Sequence, residues 1–172
     1  MRALEDGNWN VDPARSELSF AVKDMWGLRT VRGVFGAYHG KLTVRAGNAS
    51  GELAIEADSV DTDDRRRDRH LRSPAFFDVE HHPRLLFTAL ALSAHDGRLM
   101  VTGELTIGSS RQRLDIPATA ERGADGALRL EAKTTVSRPA AGMTWNKLGM
   151  IRGDVALHAR LTLTREAGSG MP

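Results

Sequence analysis

From residue 85 onward the chain alternates apolar and polar residues with a period of two, segment after segment, with no helical period between them. The segment 153–164 shows it most clearly. Val155, Leu157, Ala159, Leu161 and Leu163 fall on one face, and Ala156, His158, Arg160, Thr162 and Thr164 on the other. Such a strand has one side to bury and one to leave in water. The pattern recurs at 85–94, 98–107, 112–121 and 127–137, with turn signals at Asp96-Gly97, Gly108-Ser109 and Asp125-Gly126. The first half repeats it with breaks. In 16–24, Leu18, Phe20 and Val22 alternate with Glu17, Ser19, Ala21 and Lys23. Segment 30–45 carries Val31, Phe35, Leu42 and Val44, and its Gly33, Gly36 and Gly40 mark bends in one long curved strand. Residues 50–58 set Leu53, Ile55 and Ala57 opposite Glu52 and Glu56.

Eight such segments without intervening helices imply an all-β fold with antiparallel pairing. Eight strands suit an up-and-down barrel, which closes its own edges; a two-sheet sandwich is the structural alternative. A barrel of this size is either packed solid or holds one small ligand. After the third strand, residues 59–83 break the rhythm and read as a short helix and loop. Asp63 or Asp64 caps the helix, which runs through Leu71 and stops before Pro74. Residues 1–8 read as an N-terminal extension, 9–165 as the barrel domain and 166–172 as a disordered tail. At 172 residues the chain makes one domain with enough core to need no covalent or metal staple.

Several chemistries are excluded or unsupported. The chain has no cysteine, so disulfides, thiolate metal sites and cysteine nucleophiles are absent. Net charge is +2, and the arginine-rich stretch 65–72 has no interleaved aromatics, so no nucleic-acid partner is expected. His81-His82 would point to opposite faces of a strand and lack an H-E-x-x-H frame, so no metal is expected. There is no G-x-S-x-G elbow, phosphate loop or dinucleotide fingerprint, and Asp115, His158 and the serines form no local motif. The chain therefore reads as a non-enzyme without a cofactor. It has no apolar run long enough for a helical membrane span, and its first twenty residues lack a secretory pattern, which gives a cytoplasmic expectation.

Particular residues carry a resemblance. Trp9, Asp12, Pro13, Ser16 and Phe20 open the domain, and Val31-Arg32-Gly33-Val34-Phe35 follows. The most specific block is Arg67-Asp68-Arg69-His70-Leu71-Arg72-Ser73-Pro74-Ala75-Phe76-Phe77-Asp78, followed by Pro83 and Phe87. Gly103-Glu104-Leu105-Thr106-Ile107 and the later Arg138 and Gly142 complete the set. Over residues 9–164 the chain resembles the YceI-like family of lipocalin-like, polyisoprenoid-binding β-barrels. It departs at Asp24, where many members have His, and at 139–150, which is rich in Met and Trp. Many members also carry a signal peptide.

The resemblance implies a barrel that binds, transports or stores a long isoprenoid-type lipid, a polyprenyl or an isoprenoid quinone, without covalent chemistry. The implied lining is Leu18, Phe20, Val22, Met25, Trp26, Phe35, Phe76, Phe87, Leu105, Ile107, Met143, Trp145, Met150, Leu157, Ala159 and Leu161. Small inward residues, Gly33, Ala57, Ala132 and Ala159, would leave the room. From the residues alone, Phe20, Val22, Phe35 and Phe87 either line a tunnel or fill an ordinary core. The Met and Trp residues of the connecting segments either gate a mouth or plug a barrel end. Arg67 and Arg69 are the candidates for a diphosphate or quinone head group, and the alternative is a solvated helix face with internal ion pairs. His70 fits a structural hydrogen bond. Members of the family also imply a homodimer. The rival functions are a ligand-free stress-response or interaction protein, and an enzyme acting on an apolar substrate.

Overall fold

The structure, a computed structural model, describes residues 4–24, 28–96, 98–137 and 152–167. Met25, Trp26, Arg138, Gly142, Met143, Trp145, Met150 and most of the expected tail lie outside the described residues. The strands are β1 (Gly7–Val11), β2 (Glu17–Asp24), β3 (Arg29–Phe35), β4 (Tyr38–Arg45), β5 (Asn48–Glu56), β6 (Val60–Asp61), β7 (Arg84–His95), β8 (Arg98–Ile107), β9 (Ser110–Arg122), β10 (Leu128–Val136) and β11 (Arg152–Arg165). The single α-helix among the described residues, α1 (Arg65–Arg72), lies between β6 and β7.

These strands make one closed antiparallel ring of eight staves. β1 and β2 form one stave, bent at the turn Pro13–Arg15, and β3 and β4 form the next. From β4 the ring runs through β5, β7, β8, β9, β10 and β11. β11 closes it, pairing with β2 along 152–160 and with β1 at Leu163, Thr164 and Arg165. Every strand from β4 onward pairs with the next long strand in the chain, so the expected up-and-down barrel is what forms.

Three details differ from the sequence reading. The first stave begins at Gly7, within the expected extension, because Gly7 pairs with Val44 and Trp9 with Leu42. Segment 30–45 is two strands. At Gly36-Ala37 the chain passes from pairing β2 to pairing β5, with Gly36 N donating to Ser59 O (3.1 Å) and Glu56 N to Ala37 O (2.9 Å). Ala57 does not continue the inward face of β5. It starts a one-turn 3-10 helix, Ala57–Ser59, and is buried among Phe35, Tyr38, Val60 and Phe77. The helix forms where Asp64 caps it, its carboxylate accepting from Arg66 N and Arg67 N, both at 3.0 Å. It ends at Arg72, with Ser73 N donating to His70 O before Pro74.

The two ends of the barrel are unlike. At the end away from α1, Trp9 (1% exposed) packs with Leu42, Val44, Ala49, Leu128 and Leu163. An aromatic of this kind removes roughly 150–250 Å² from water, which contributes about 4–6 kcal/mol. Its indole N–H donates to Glu5 O (3.3 Å) and the Arg122 guanidinium lies 5.8 Å from the ring centroid. This cluster is a floor. The wall carries two irregularities. β7 has a bulge between Ala89 and Ala91, which turns Leu90 outward. The β9–β10 ladder stops at Ala118 opposite Ala132, next to Pro117, which has no N–H to give.

Candidate functional site: the barrel interior and its α1 end

The alternation along each stave delivers one apolar side chain in two to the interior. Together these surround a cavity of about 820 Å³, a volume in the roughly 300–1,000 Å³ range of ligand sites. Leu18, Phe20 and Val22 reach it from β2, Val31 and Phe35 from β3, and Leu53 and Ile55 from β5. Leu85 and Phe87 come from β7, Leu105 and Ile107 from β8, and Leu114 and Ile116 from β9. Leu130, Ala132, Thr134 and Val136 face it from β10, and Val155, Leu157, Ala159 and Leu161 from β11. Thr134 is the one polar side chain among these positions, and Ser19, Lys41, Glu52 and His158 of the staves also border the cavity.

The room comes from a belt of methyl groups. Ala118, Ala132 and Ala159 lie side by side on β9, β10 and β11, and Leu18 of β2 comes next. Gly33, expected to leave space, does not. A Cβ there would sit 2.4 Å from Cζ of Phe20 and 2.8 Å from Cγ2 of Thr62, so the Phe20 ring occupies that place. Phe87 does the same over Gly103, where a Cβ would meet its Cζ at 2.4 Å and Thr88 O at 2.6 Å. The wall beside the alanines, on β2 and β3, is aromatic. Phe20 and Phe35 pack with centroids 5.5 Å apart, and Phe35 meets Phe77 edge-on at 5.9 Å.

At the α1 end the lining turns polar: Asp64, Arg66, Arg67 and His70 join Leu71, Phe76 and Phe77. The His70 ring stands edge-on to Phe76, centroids 5.0 Å apart. Three side chains hold the helix in place. Asp68, only 7% exposed, accepts from Thr62 N (2.9 Å) and Thr62 Oγ1 (2.6 Å). Arg67 Nε donates to Thr62 Oγ1 (2.7 Å) and Nη2 to Thr62 O (2.8 Å). Arg72 donates to Asp58 O (2.8 Å) and Val60 O (3.1 Å). The cap bonds from Arg67 N and Arg66 N, with the Arg67 guanidinium 3.9 Å away, hold the Asp64 carboxyl below the usual carboxylate range against a smaller opposing effect of burial.

The expected lining residues Leu18, Phe20, Val22, Phe35, Phe76, Phe87, Leu105, Ile107, Leu157, Ala159 and Leu161 all border this one cavity, and so does Arg67. Arg69 does not. Two residues along a helix is a rotation of about 200°, and Arg69 instead borders an outer depression with Asp61, Asp63, Arg65 and Arg72. The expected head-group pair is therefore split, and Arg66 is the cation that accompanies Arg67. The sequence held a signal for this. Leu71 is the only apolar residue of α1, and Arg67 lies four residues before it on the same face, beside Arg66 and His70. His81 and His82 stand apart from the cavity. His81 Nδ1 is 3.0 Å from Asp78 Oδ1, which raises its pKa, and His82 packs against Gly108. His158 pairs with Glu131 (2.7 Å), whereas Asp115 accepts from Thr102 Oγ1 (2.6 Å).

Comparison with known proteins agrees with this architecture. A sequence model described as a YceI-like domain matches residues 9–163. Protein YceI of Salmonella arizonae is 30% identical over 104 residues, 59% of this chain and 54% of that protein. A UPF0312 protein of Pectobacterium carotovorum aligns with the same identity and coverage. The chain thus spans about half the length of the curated relatives it matches. Among solved structures, BcnA of Burkholderia cenocepacia superposes with a TM-score of 0.81 at 20% identity, covering 90% of this chain and 99% of that one. A polyisoprenoid binding domain from Saccharophagus degradans, implicated in plant cell wall breakdown, gives 0.77 at 15% identity, covering 92% and 98%. At such identities the likeness is one of fold. The sequence match, running from Trp9 to Leu163 and so over all eight staves, places the chain in the YceI-like family.

Proposed function

We propose that this protein holds a long apolar isoprenoid-type lipid inside the barrel, tail toward the Trp9 floor and head group at the α1 end, as a non-catalytic carrier or store. The observation that carries the reading is the 820 Å³ cavity, with its mainly apolar inward side chains and the Trp9 cluster packed at the end away from α1. A chain of methyl-branched units suits a surface that alternates rings and alanine methyls, because dispersion contacts need shape rather than direction. Each methylene taken from water contributes about 0.8 kcal/mol. About 30 carbons would sum to ~24 kcal/mol, beyond the roughly −18 to −21 kcal/mol at which affinities saturate, so ordering of the chain must offset part of it. The Saccharophagus degradans domain of the same fold is described as polyisoprenoid binding, which supports the ligand class.

The test is extraction of the purified protein with organic solvent, mass spectrometry of the extract, and titration of the stripped protein with a long-chain prenyl alcohol. The expected result is a prenyl lipid in the extract, or saturable one-to-one binding of the alcohol, with the alcohol recovered unchanged. A protein that yields no lipid and binds no prenyl alcohol would sink the proposal.

A further inference from the structure

We infer that Arg66 makes the cavity selective for a lipid with an anionic head group. The inference rests on the lipid-binding reading above and names the class of head group that the site prefers. Two arginines border the cavity at its α1 end, and they are not equivalent. Arg67 is committed: Nε and Nη2 both donate to Thr62, and Nη1 faces the Asp64 carboxylate at 3.9 Å. Its guanidinium is a fixed brace between helix and wall. Arg66 is one residue, about 100°, further round the same helical turn. Its backbone N–H is taken by Asp64, but its exposed side chain has no hydrogen bond or ion pair among the described residues. A guanidinium offers five N–H donors and binds carboxylate and phosphate in a two-point fork.

The local charge favours the same class. Asp64, Arg66 and Arg67 are the ionised side chains that α1 and its cap bring to the cavity, a net single positive charge. The Asp64 carboxylate is already engaged by its two cap bonds and by Arg67, and Arg29 at the start of β3 acts on it as well. An anionic head group arriving here therefore meets one uncommitted arginine and one braced one. A neutral hydroxyl gains little from either. Because Arg66 is exposed, the preference is electrostatic and screened by salt.

The test compares a long-chain prenyl alcohol, the corresponding prenyl monophosphate and a long-chain fatty acid, each titrated into the full chain at low and at high ionic strength. Wild type should bind the monophosphate about tenfold more tightly than the alcohol in low salt, with the gap closing in high salt. Arg66→Gln should lose that preference, its affinity for the monophosphate falling to its own affinity for the alcohol. Arg65→Gln, which borders the outer depression, should keep it. The fatty acid separates two sources of the same charge: an Arg66-dependent gain for it means that any anion serves, and its absence means that phosphate is read. The inference is overturned if wild type shows no preference, if Arg66→Gln retains it, or if Arg65→Gln loses it equally. Those failures leave alcohol binding intact. Failure of wild type to bind any of the three lipids would instead overturn the lipid-binding reading, and the inference with it.

Discussion

Asp68 is the residue on which the placing of α1 at the end of the cavity turns, and its removal has a calculable cost. Its Oδ1 accepts from Thr62 N at 2.9 Å and Thr62 Oγ1 at 2.6 Å, and both residues are buried. Asp68→Ala deletes two hydrogen bonds to a charged acceptor and leaves the Thr62 N–H buried without a partner. Each such loss costs about 1–3 kcal/mol, and the two share one site, so a total of about 2–4 kcal/mol is expected. For a domain of this size each kcal/mol lowers Tm by roughly 2–4 °C, which gives a fall of about 4–16 °C. Asp68→Asn keeps an oxygen in the same place and should recover more than half of the loss. Differential scanning calorimetry measures both. Hydrogen exchange adds the local reading: amides of α1 and Thr62 should lose protection in Asp68→Ala, and those of β8 and β9 should not. If Asp68→Asn falls as far as Asp68→Ala, the oxygen's position is not what matters. If Asp68→Ala melts within about 2 °C of wild type, the contact does not hold the helix, and the reasoning fails.

Two further outcomes follow from the geometry. Ala159→Trp puts an indole into the belt formed with Ala118 and Ala132, so prenyl-alcohol binding should be lost. Because the residue faces the cavity, the melting temperature should fall by less than the overpacking cost of about 1–3 kcal/mol implies; normal binding by this variant would refute the position of the cavity. Arg15 joins Asp12 and Asp125, both at 2.7 Å, and the side-chain hydrogen bond to Arg15 is the main reason that each carboxyl titrates below its usual range. A carboxyl with a lowered folded-state pKa contributes its stability above the unfolded-state value of about 3.9 and loses it as pH falls through the folded value. The Tm advantage of wild type over Arg15→Gln should therefore be full at neutral pH, shrink below about pH 4 and be gone once both carboxyls are protonated. An advantage that is unchanged at low pH would show that charge is not its source.

Much of this was legible in the residues, and the parts that were not have physical reasons. Period-two alternation put Leu157, Ala159 and Leu161 on one face, and the structure turns that face inward. It missed Gly7–Val11 because Asn8-Trp9-Asn10-Val11 alternates for four residues only, the shortest run that marks a strand. It failed at Ala57 because a tertiary hydrogen bond, Ala57 N to Pro83 O at 2.9 Å, holds a turn where the pattern would continue a strand. Gly33 read as empty space because a sequence does not show where a neighbour's ring will lie, and Phe20 lies there. Asp68 was invisible within RRRDRHLR, where an acid among arginines reads as solvated. Its burial depends on Thr62, six residues earlier and across a turn. That contact, together with the bonds of Arg67 and Arg72 to the same segment, sets the rotation of the helix, and with it the placing of Arg66 rather than Arg69 at the cavity.

The seam between β11 and the first stave has a consequence for the order of assembly. Every other join in the ring links consecutive staves, so the meander can zip hairpin by hairpin with short loops to close. The seam instead pairs Trp9 with Arg165 and Phe20 with Leu157, residues from opposite ends of the domain, and its entropic cost grows with the whole intervening chain. Before it closes, the chain is a curved trough with one greasy side, and Trp9 has neither Leu163 nor Leu128 to cover it. The third apolar cluster, Leu105, Leu114 and Val136 with Phe87, Ile116 and Leu157, gives little help, because its members all lie on β7–β11 and none belongs to the first stave. Closure must be driven from the two ends, by the Trp9 cluster at one and by Phe35, Phe77 and Leu18 at the other. The barrel is held like a cask, by its hoops rather than its contents.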